Sequence, residues 1–400
     1  MLEYQGKHTK AKVMIDKIEP ATVSQIYEMI NHEAFTNPVS VMPDCHKGNG
    51  SVIGFTMEMG DKIIPNIVGV DIGCGMLSFV VRKGIFAEMD RIEIDILIRT
   101  EIPFGTNVQT RKGIFDINDK YFWLELNFDL IKFTRNFNSK YGTTFSYKEM
   151  DYRGFIDLCN KIGMDGNRAI LSLGTLGGGN HFIEIGKSVE TKDYRATIHS
   201  GSRQFGLKVC QYHQKIANSF HPTGKDRRGL AFLTEENMFG YLTDMVIAQK
   251  YAQKNRELMR DMICNILDTD IVDPIESVHN YINFEDWIIR KGAISSYAGE
   301  KMIISLNMED GLFVCEGKSN ADWNFSAPHG AGRPDSRAWA KKNLSLEDAE
   351  HRMKKKGIYC SKLPLDESKY AYKDGKMIKD SLWPTATLLE TVLPVLAIKD

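Results

Sequence analysis

The stretch SNADWNFSAPHGAGRPDSRAWA, residues 319–340, is the one around which the rest of the chain is read. It sets His329 before Gly330, Ala331 and Gly332, with Arg333 directly behind them. Two glycines in such a turn let backbone N–H groups approach a ligand closely, which makes His329 a candidate nucleophile. Pro334, Asp335 and Ser336 read as the first turn of a helix, where free N–H groups and the helix dipole favour anions. Arg333 and Arg337 then fall at i and i+4 on one helical face, so two guanidinium forks could grip phosphate oxygens beside the histidine. A capped surface helix with two solvated arginines accounts for the same residues.

Upstream, IVGVDIGCGMLSFVV (67–81) embeds Asp71 and Cys74 in a glycine-punctuated bend between two apolar strands. A buried carboxylate needs a cation or several donors, and a thiol beside the same cation becomes a thiolate, so a metal site explains both. A turn aspartate with an inert core cysteine is the alternative. In SLGTLGGGNHFIEIG (172–186) a glycine loop leads into a strand. It is not a Walker A loop, because Asn180 and His181 stand where that loop needs Lys and Ser/Thr. Alternation places Asn180, Phe182 and Glu184 on one side, and His181, Ile183 and Ile185 on the other. An aromatic plane with a carboxylate two residues on suits guanine, whose N1–H and exocyclic amine are adjacent donors. The other side presents His181 to a metal, although Phe182 also reads as plain core.

RATIHSGSRQFG (195–206) ends an apolar strand at His199 and turns through Gly201 and Ser202 to Arg203, a candidate phosphate contact. His279, in SVHNYINFED, reads by itself as a hydrogen-bonded core histidine. VMPDCHKGNGSVIGFT (41–56) reads as a polar, glycine-rich loop between apolar runs. Asp44 and His46 share a face there if the loop is extended, for a metal or phosphate contact; an Asp-initiated turn with its histidine in solvent is the other reading.

The 400 residues exceed what one compact core usually holds, which predicts two or three structural units or one large elaborated domain. A net charge of −1 removes whole-protein attraction to a polyanion, so nucleic-acid binding needs a local patch. No apolar leader or membrane-length run is present, and the expectation is a cytoplasmic protein without membrane association. Seven cysteines, odd in number and never in C-x-x-C, argue against a disulfide framework or zinc ribbon. Residues 1–35 read as a strand-like start and one amphipathic helix, and YFWLELNFDLIKFTRNFNSKYG (121–142) as a packed helix or a base-stacking, phosphate-holding surface. Helical periodicity runs over about 205–270, locally basic at Lys208, Lys215, Lys225, Arg227 and Arg228, which a solvated face or an RNA-facing surface explains. KKNLSLEDAEHRMKKKG (341–357) reads as one charged helix. Lys399 follows VLPVLAI and reaches a site only if that strand is buried; a frayed terminus is the alternative.

Together, PDCHKGNG, VGVDIGCGM, GTLGGGNHFIE, IHSGSRQFG, VHN, SAPHGAGRPDSR and Lys399 resemble, in order from about residue 41 to the end, the RtcB-type RNA ligases. The resemblance implies an α+β fold: a single RtcB-like catalytic domain over 1–400, β-sheets around a central metal cleft, flanking helices, and a helical insertion at 205–275. It implies a GTP-dependent ligase joining RNA 2′,3′-cyclic phosphate or 3′-phosphate ends to 5′-hydroxyl ends, in tRNA splicing or RNA repair, through a His329–GMP intermediate. Two manganese ions are implied, one on Asp71, Cys74 and His181 and one on Cys74, His199 and His279. Spacing alone favours zinc for such a Cys/His-rich set.

By the same resemblance Asn180, Phe182, Glu184, Tyr372 and Lys399 surround the guanosine, with Asn307, Gly330, Ala331, Gly332 and Arg333 beside the nucleotide. Arg203 and Arg337 hold phosphates, and Asp44 and His46 lie near the metals or RNA end. Asn307, in ISLNM (304–308), stands where many relatives have a small hydroxyl residue in a Pro-Gly-Ser-Met turn. An accessory activator protein is compatible with the resemblance but not inferable from the sequence. Two other classes use the same residues. One is a two-metal phosphodiesterase or 3′-end-modifying enzyme that does not seal RNA; the other is an RNA-binding paralogue without catalysis, against which the intact nucleophile and ligand set weigh.

Overall fold

The runs GMLSFVV, FIEIGKS and YRATIHS are buried along nearly their whole length, as strands covered on both faces must be. They form the middle of the larger sheet in the computed structural model, which describes residues 1–82, 86, 88–110, 113–221 and 229–400. Lys225, Arg227 and Arg228, read above as part of a basic surface, lie outside the described residues.

The chain opens with β1 (Leu2–Gln5), β2 (Lys10–Val13), α1 (Pro20–Ile30), β3 (Val39–His46), β4 (Ile53–Glu58) and β5 (Gly75–Val81). Helices α2 (Arg91–Glu101), α3 (Lys120–Tyr141), α4 (Tyr152–Lys161) and α5 (Gly166–Leu171) follow, then β6 (Phe182–Ser188) and β7 (Tyr194–Ser200). Next come α6 (Arg203–Phe220), α7 (Glu235–Ile266), β8 (Val272–Val278), β9 (Asn280–Ile282), β10 (Ile288–Lys291) and β11 (Ala293–Ser295). The chain closes with β12 (Lys301–Asn307), β13 (Gly311–Gly317), β14 (Ser326–Pro328), α8 (Arg337–Asn343), α9 (Leu346–Lys355), α10 (Gly375–Ser381) and β15 (Ala386–Ile398).

One sheet has six strands in the order β1-β2-β3-β4-β10-β9; the other has seven, β12-β13-β15-β6-β7-β5-β8. Its edge strands β8 and β12 meet where Ile303 N–H donates to Ser277 Oγ at 2.9 Å, so the sheet curls into a nearly closed barrel. Met76, Phe182, Ile275, Ile303, Leu312, Val314 and Val392 fill one face of it. The opposite face packs Phe79, Ile183, Ile185 and Ile198 against Ile94 and Ile98 of α2 and Met259 and Ile263 of α7. The N-terminal half of α7 lies in a second core with α1, α3, α6 and the six-stranded sheet. This 32-residue helix therefore spans both cores. No helix among the described residues is long and apolar enough to cross a membrane.

The structure differs from the sequence reading at several elements. Residues 1–35 hold two strands before their helix. The supposed loop at 41–56 is strand β3 as far as His46, extended because Ser40 and Val41 pair with Thr56 and Phe55 across the sheet. ISLN is the end of β12, and Asn307 Oδ1 accepts the N–H groups of Glu309 and Asp310, turning the chain into β13. Residues 341–357 fall in two helices, broken where Ser345 caps α9. Helix α8 starts at Arg337, because Ser336 Oγ caps it by accepting from Trp339 N–H at 3.1 Å. Arg333 thus precedes the helix. The periodic stretch after residue 205 comprises α6 and α7, and gives way to β8 at Val272.

Helix α3 shows how burial divides its residues. Phe137 is fully buried, with its ring 5.1 Å from Phe239 and 4.7 Å from Tyr141, whereas Phe128 on the same helix is 65% exposed. Phe137→Ala should lower the free energy of unfolding by about 3–5 kcal/mol, and Phe128→Ala by no more than about 0.5 kcal/mol, in denaturant titration.

Candidate active site

Antiparallel neighbours alternate direction, so the start of one strand lies beside the end of the next. In β6-β7-β5-β8 the register pairs Phe182 with His199, His199 with Met76, and Gly75 with Val278. His181, His199, Cys74 and His279 therefore gather at one end of four adjacent strands. Asp71 joins them from the bend before β5: its Oδ2 lies 2.9 Å from His181 Nε2. Cys74 Sγ lies 3.5 Å from His181 Nε2 and 3.4 Å from His199 Nε2, and the His199 and His279 Nε2 atoms are 2.9 Å apart. Within each of two sets, Asp71/Cys74/His181 and Cys74/His199/His279, the ligand atoms lie within 4.8 Å of one another.

The backbone orients these rings. His181 Nδ1 donates to Leu176 O at 2.8 Å and His199 Nδ1 to Asn180 O at 3.1 Å, which turns both Nε2 lone pairs inward. The Arg203 guanidinium, 3.3 Å from His181 Nδ1, lies beside the ring without bonding it, because the shorter Leu176 contact already uses that N–H. An inward lone pair facing a carboxylate needs a cation between them, a proton or a metal. Burial, and then neighbouring histidines, hold His199 and His279 well below the ordinary imidazole range, so both are neutral as metal ligands must be. Burial alone would raise Asp71, but His181 holds it down at about 2. Burial, and then Asp71, push the metal-free Cys74 thiol well up. Asp71 Oδ1 and His279 Nδ1 have no hydrogen-bond partner within the described residues. The donor set fits one or two divalent cations, with three protein ligands each leaving coordination positions for a substrate.

His329 stands next to this cluster, its ring centroid 4.6 Å from that of His279. Its Nδ1 lies 2.6 Å from Asp44 Oδ2, an ion-pair contact that puts the carboxylate on that side of the ring. Asp44 is fully buried on β3, and Gly330 N–H also approaches its Oδ2 at 3.3 Å. Gly332 has φ +70°, and a Cβ there would collide with the Asp44 carbonyl, so the turn can close on β3 only with glycine. Asp44 thus leaves His329 Nε2 as the free ring nitrogen. His46 Nδ1 contacts Asp44 O at 3.1 Å, and burial lowers that imidazole to about 4.

A cavity of about 1120 Å³ opens over His329, His199 and His279. Asn180, Phe182, Glu184, Asn307, Gly330, Ala331, Gly332, Arg333, Tyr372 and Lys399 all line it, as do His46 and Arg337. Asp71, Cys74 and His181 lie behind its wall. Arg203 stands apart from the cavity, its guanidinium donating to Gly105 O at 2.9 Å and Thr175 Oγ1 at 3.3 Å.

The sequence reading missed Glu367. This buried carboxylate takes Arg333 Nη2 and Arg337 Nη1 on Oε1, each at 2.5 Å, and Lys399 Nζ at 2.5 Å and the Tyr372 hydroxyl at 2.6 Å on Oε2. Burial alone would raise it, but Lys399, Arg333 and Arg337 hold it down at about 2. Asp366 takes Arg337 as well, at 2.8 Å. Arg333 and Arg337 therefore converge through a shared acid more than thirty residues away in one case and thirty in the other, not through a common helical face. No sequence signal marks Asp366-Glu367, an ordinary acidic pair in a polar stretch.

The family model for tRNA-splicing ligase RtcB matches residues 25–400. The RNA-splicing ligase RtcB of Escherichia coli (strain K12) is 30% identical over 394 residues, which cover 90% of each chain. The tRNA-splicing ligase RtcB of Nanoarchaeum equitans is 24% identical over 421 residues, covering 89% of this chain and 85% of its own. That of Methanococcus maripaludis is 25% identical over 410 residues, covering 85% and 82%.

Burial raises the Glu184 carboxyl to about 8, and the Lys399 charge offsets this only in part. In the unfolded chain a glutamate ionises near about 4.3, so the stability this group contributes is present below that pH and is lost as the pH rises to about 8. Glu184→Gln should melt close to wild type at pH 5 and progressively above it toward pH 9 in differential scanning fluorimetry. A difference that does not change with pH would contradict this.

Proposed function

The chain belongs to the RtcB family, and on that premise we propose that it is a GTP-dependent RNA ligase. It joins an RNA 2′,3′-cyclic phosphate or 3′-phosphate end to a 5′-hydroxyl end, in tRNA splicing or RNA repair. The observation that carries this reading is one cavity where the free nitrogen of His329 stands beside two metal-ligand sets and among groups matched to a guanine nucleotide. Two manganese ions held by Asp71, Cys74 and His181 and by Cys74, His199 and His279, with Cys74 shared, would supply Lewis-acid polarisation of phosphate oxygens.

The remaining chemistry belongs to the chain. His329 Nε2 attacks the α-phosphorus of GTP; an N–P bond forms, the bond from that phosphorus to the bridging oxygen breaks, and pyrophosphate leaves with the electron pair. As the ring gains positive charge, Asp44 stabilises it through Nδ1–H, the pairing that the 2.6 Å contact prepares. An oxygen of the RNA 3′-phosphate then attacks the GMP phosphorus, breaks the P–N bond and restores His329. The 5′-hydroxyl oxygen attacks the activated 3′-phosphorus, loses its proton and expels GMP. A cyclic phosphate is first opened by water, whose oxygen bonds to phosphorus as the bond to the 2′-oxygen breaks and that oxygen takes up a proton.

Guanine is selected by complementary charge. Glu184 gives up its proton to solvent as the base binds and then, as a carboxylate, accepts from N1–H and the exocyclic amine, and the Lys399 ammonium donates to the O6 acceptor, where adenine would present a donor. Phe182, with Lys399 Nζ 5.5 Å from its ring, supplies a flat wall. Arg333 and Arg337, held by Glu367, offer the nucleotide phosphates their remaining donors.

Incubated with GTP and Mn²⁺, the purified protein should gain the mass of one GMP, and His329→Ala should gain none. Absence of the adduct in metal-loaded, folded wild type would contradict this mechanism and favour a metal-dependent phosphodiesterase.

A further inference from the structure

Asn255 and Arg256 are adjacent on α7, buried, and absent from the cavity wall. Their hydrogen bonds go to backbone and side-chain groups that adjoin the metal-ligand candidates. Arg256 Nη1 donates to Gly73 O at 2.7 Å, just before Cys74, and to Ser200 O at 2.9 Å, just after His199. Its Nε and Nη2 grip Glu276 Oε1 at 2.9 and 2.8 Å, on the strand that delivers His279. One guanidinium therefore ties together the three chain segments that present Cys74, His199 and His279.

Asn255 reaches the other set less directly, through the segment before His181 and the turn after His199, which packs on Asp71. Its Oδ1 accepts from Thr175 N–H at 3.0 Å, and its Nδ2 lies 3.1 Å from each of Thr175 O, Ser200 Oγ and Gly201 O. The next carbonyl, Leu176 O, orients His181 and also accepts from Ser200 Oγ at 2.8 Å. Gly201 packs against the Asp71 carboxylate, where a Cβ would collide with it. We propose that Asn255 and Arg256 are positioning residues of the metal centre, Asn255 setting the Asp71/Cys74/His181 group and Arg256 the Cys74/His199/His279 group, although neither is a ligand. This rests on the metal reading given above. A residue that merely tied helix to sheet would bond wherever the two touch; these two bond beside the ligands.

The test is a Co²⁺ titration of chelator-stripped protein, following the cobalt–thiolate band from Cys74 and the d–d bands, with thermal melting alongside. Wild type should bind two equivalents. Arg256→Met should weaken one equivalent by about 10–100-fold and Asn255→Ala the other, as loss of groups that orient ligands does. Arg256→Lys, which keeps a cation for Glu276 but cannot reach both carbonyls, should fall between, and carries the test if Arg256→Met does not fold. The control is Arg195→Met: this arginine is 2% exposed, on β7 at the end away from His199, and pairs with Asp273 and Glu390. It should lower the melting temperature and leave both cobalt affinities unchanged. Wild-type cobalt affinities in a folded Arg256 variant, or equal weakening by Arg195→Met, would overturn the proposal. A wild type that binds no cobalt would overturn the metal reading and this inference with it.

Discussion

The His181 ring, which already donates through Nδ1 to the backbone, is brought within 3 Å of the Asp71 carboxylate on its other nitrogen, and that arrangement is stable only with a cation, a proton or a metal, between the two. That constraint governs the architecture. It needs four strand ends at one place, which the order β6-β7-β5-β8 provides. The HGAGR turn brings His329 to the edge of this cluster, beside His279. Asp44, buried on a strand of the other sheet, meets His329 there. The site is thus a seam between two sheets, and neither sheet forms it alone.

A second electrostatic balance lines the same cavity. Arg333, Arg337 and Lys399 would repel one another if left unpaired, and Glu367 with Asp366 holds them together. The acid fixes each cation's position while leaving donors free, because a guanidinium has five N–H groups and an ammonium three. Burial would drive Glu367 to its neutral form, and only the three cations keep it charged. Each side of this cluster therefore depends on the other. The cavity therefore adjoins two sets of residues that could hold a metal and is lined by a cluster of cations held by a buried acid.

Local patterns in the sequence carried much of the site. Alternation put Asn180, Phe182 and Glu184 on one side of the strand and His181, Ile183 and Ile185 on the other; in the structure the first three line the cavity, while Ile183 and Ile185 pack against the helices. Asp71 with Cys74, and His199 at a strand end, were readable as residues that need a ligand or a partner. What spacing does not carry is strand order: nothing between Cys74 and His279 says that their strands are neighbours. The same limit applies to Arg333 and Arg337, whose separation invited a helical explanation while the reason for their convergence is an acid in a distant turn. Asp44 was misplaced in a loop because Pro43 and the following glycines mimic turn chemistry, and its burial became intelligible only with His329 beside it. Lys399 needed β15 to be buried, a tertiary fact.

The central claim is that one cavity joins a histidine nucleophile to a pair of cations sharing Cys74. Anomalous diffraction at the manganese edge, on crystals grown with Mn²⁺ and GTP, tests it most directly. The account predicts two peaks flanking Cys74 Sγ, one beside Asp71 and His181 and the other beside His199 and His279, with density continuous from His329 Nε2 to a phosphorus. A single peak away from Cys74, or nucleotide bound with its α-phosphorus facing away from His329, would contradict it.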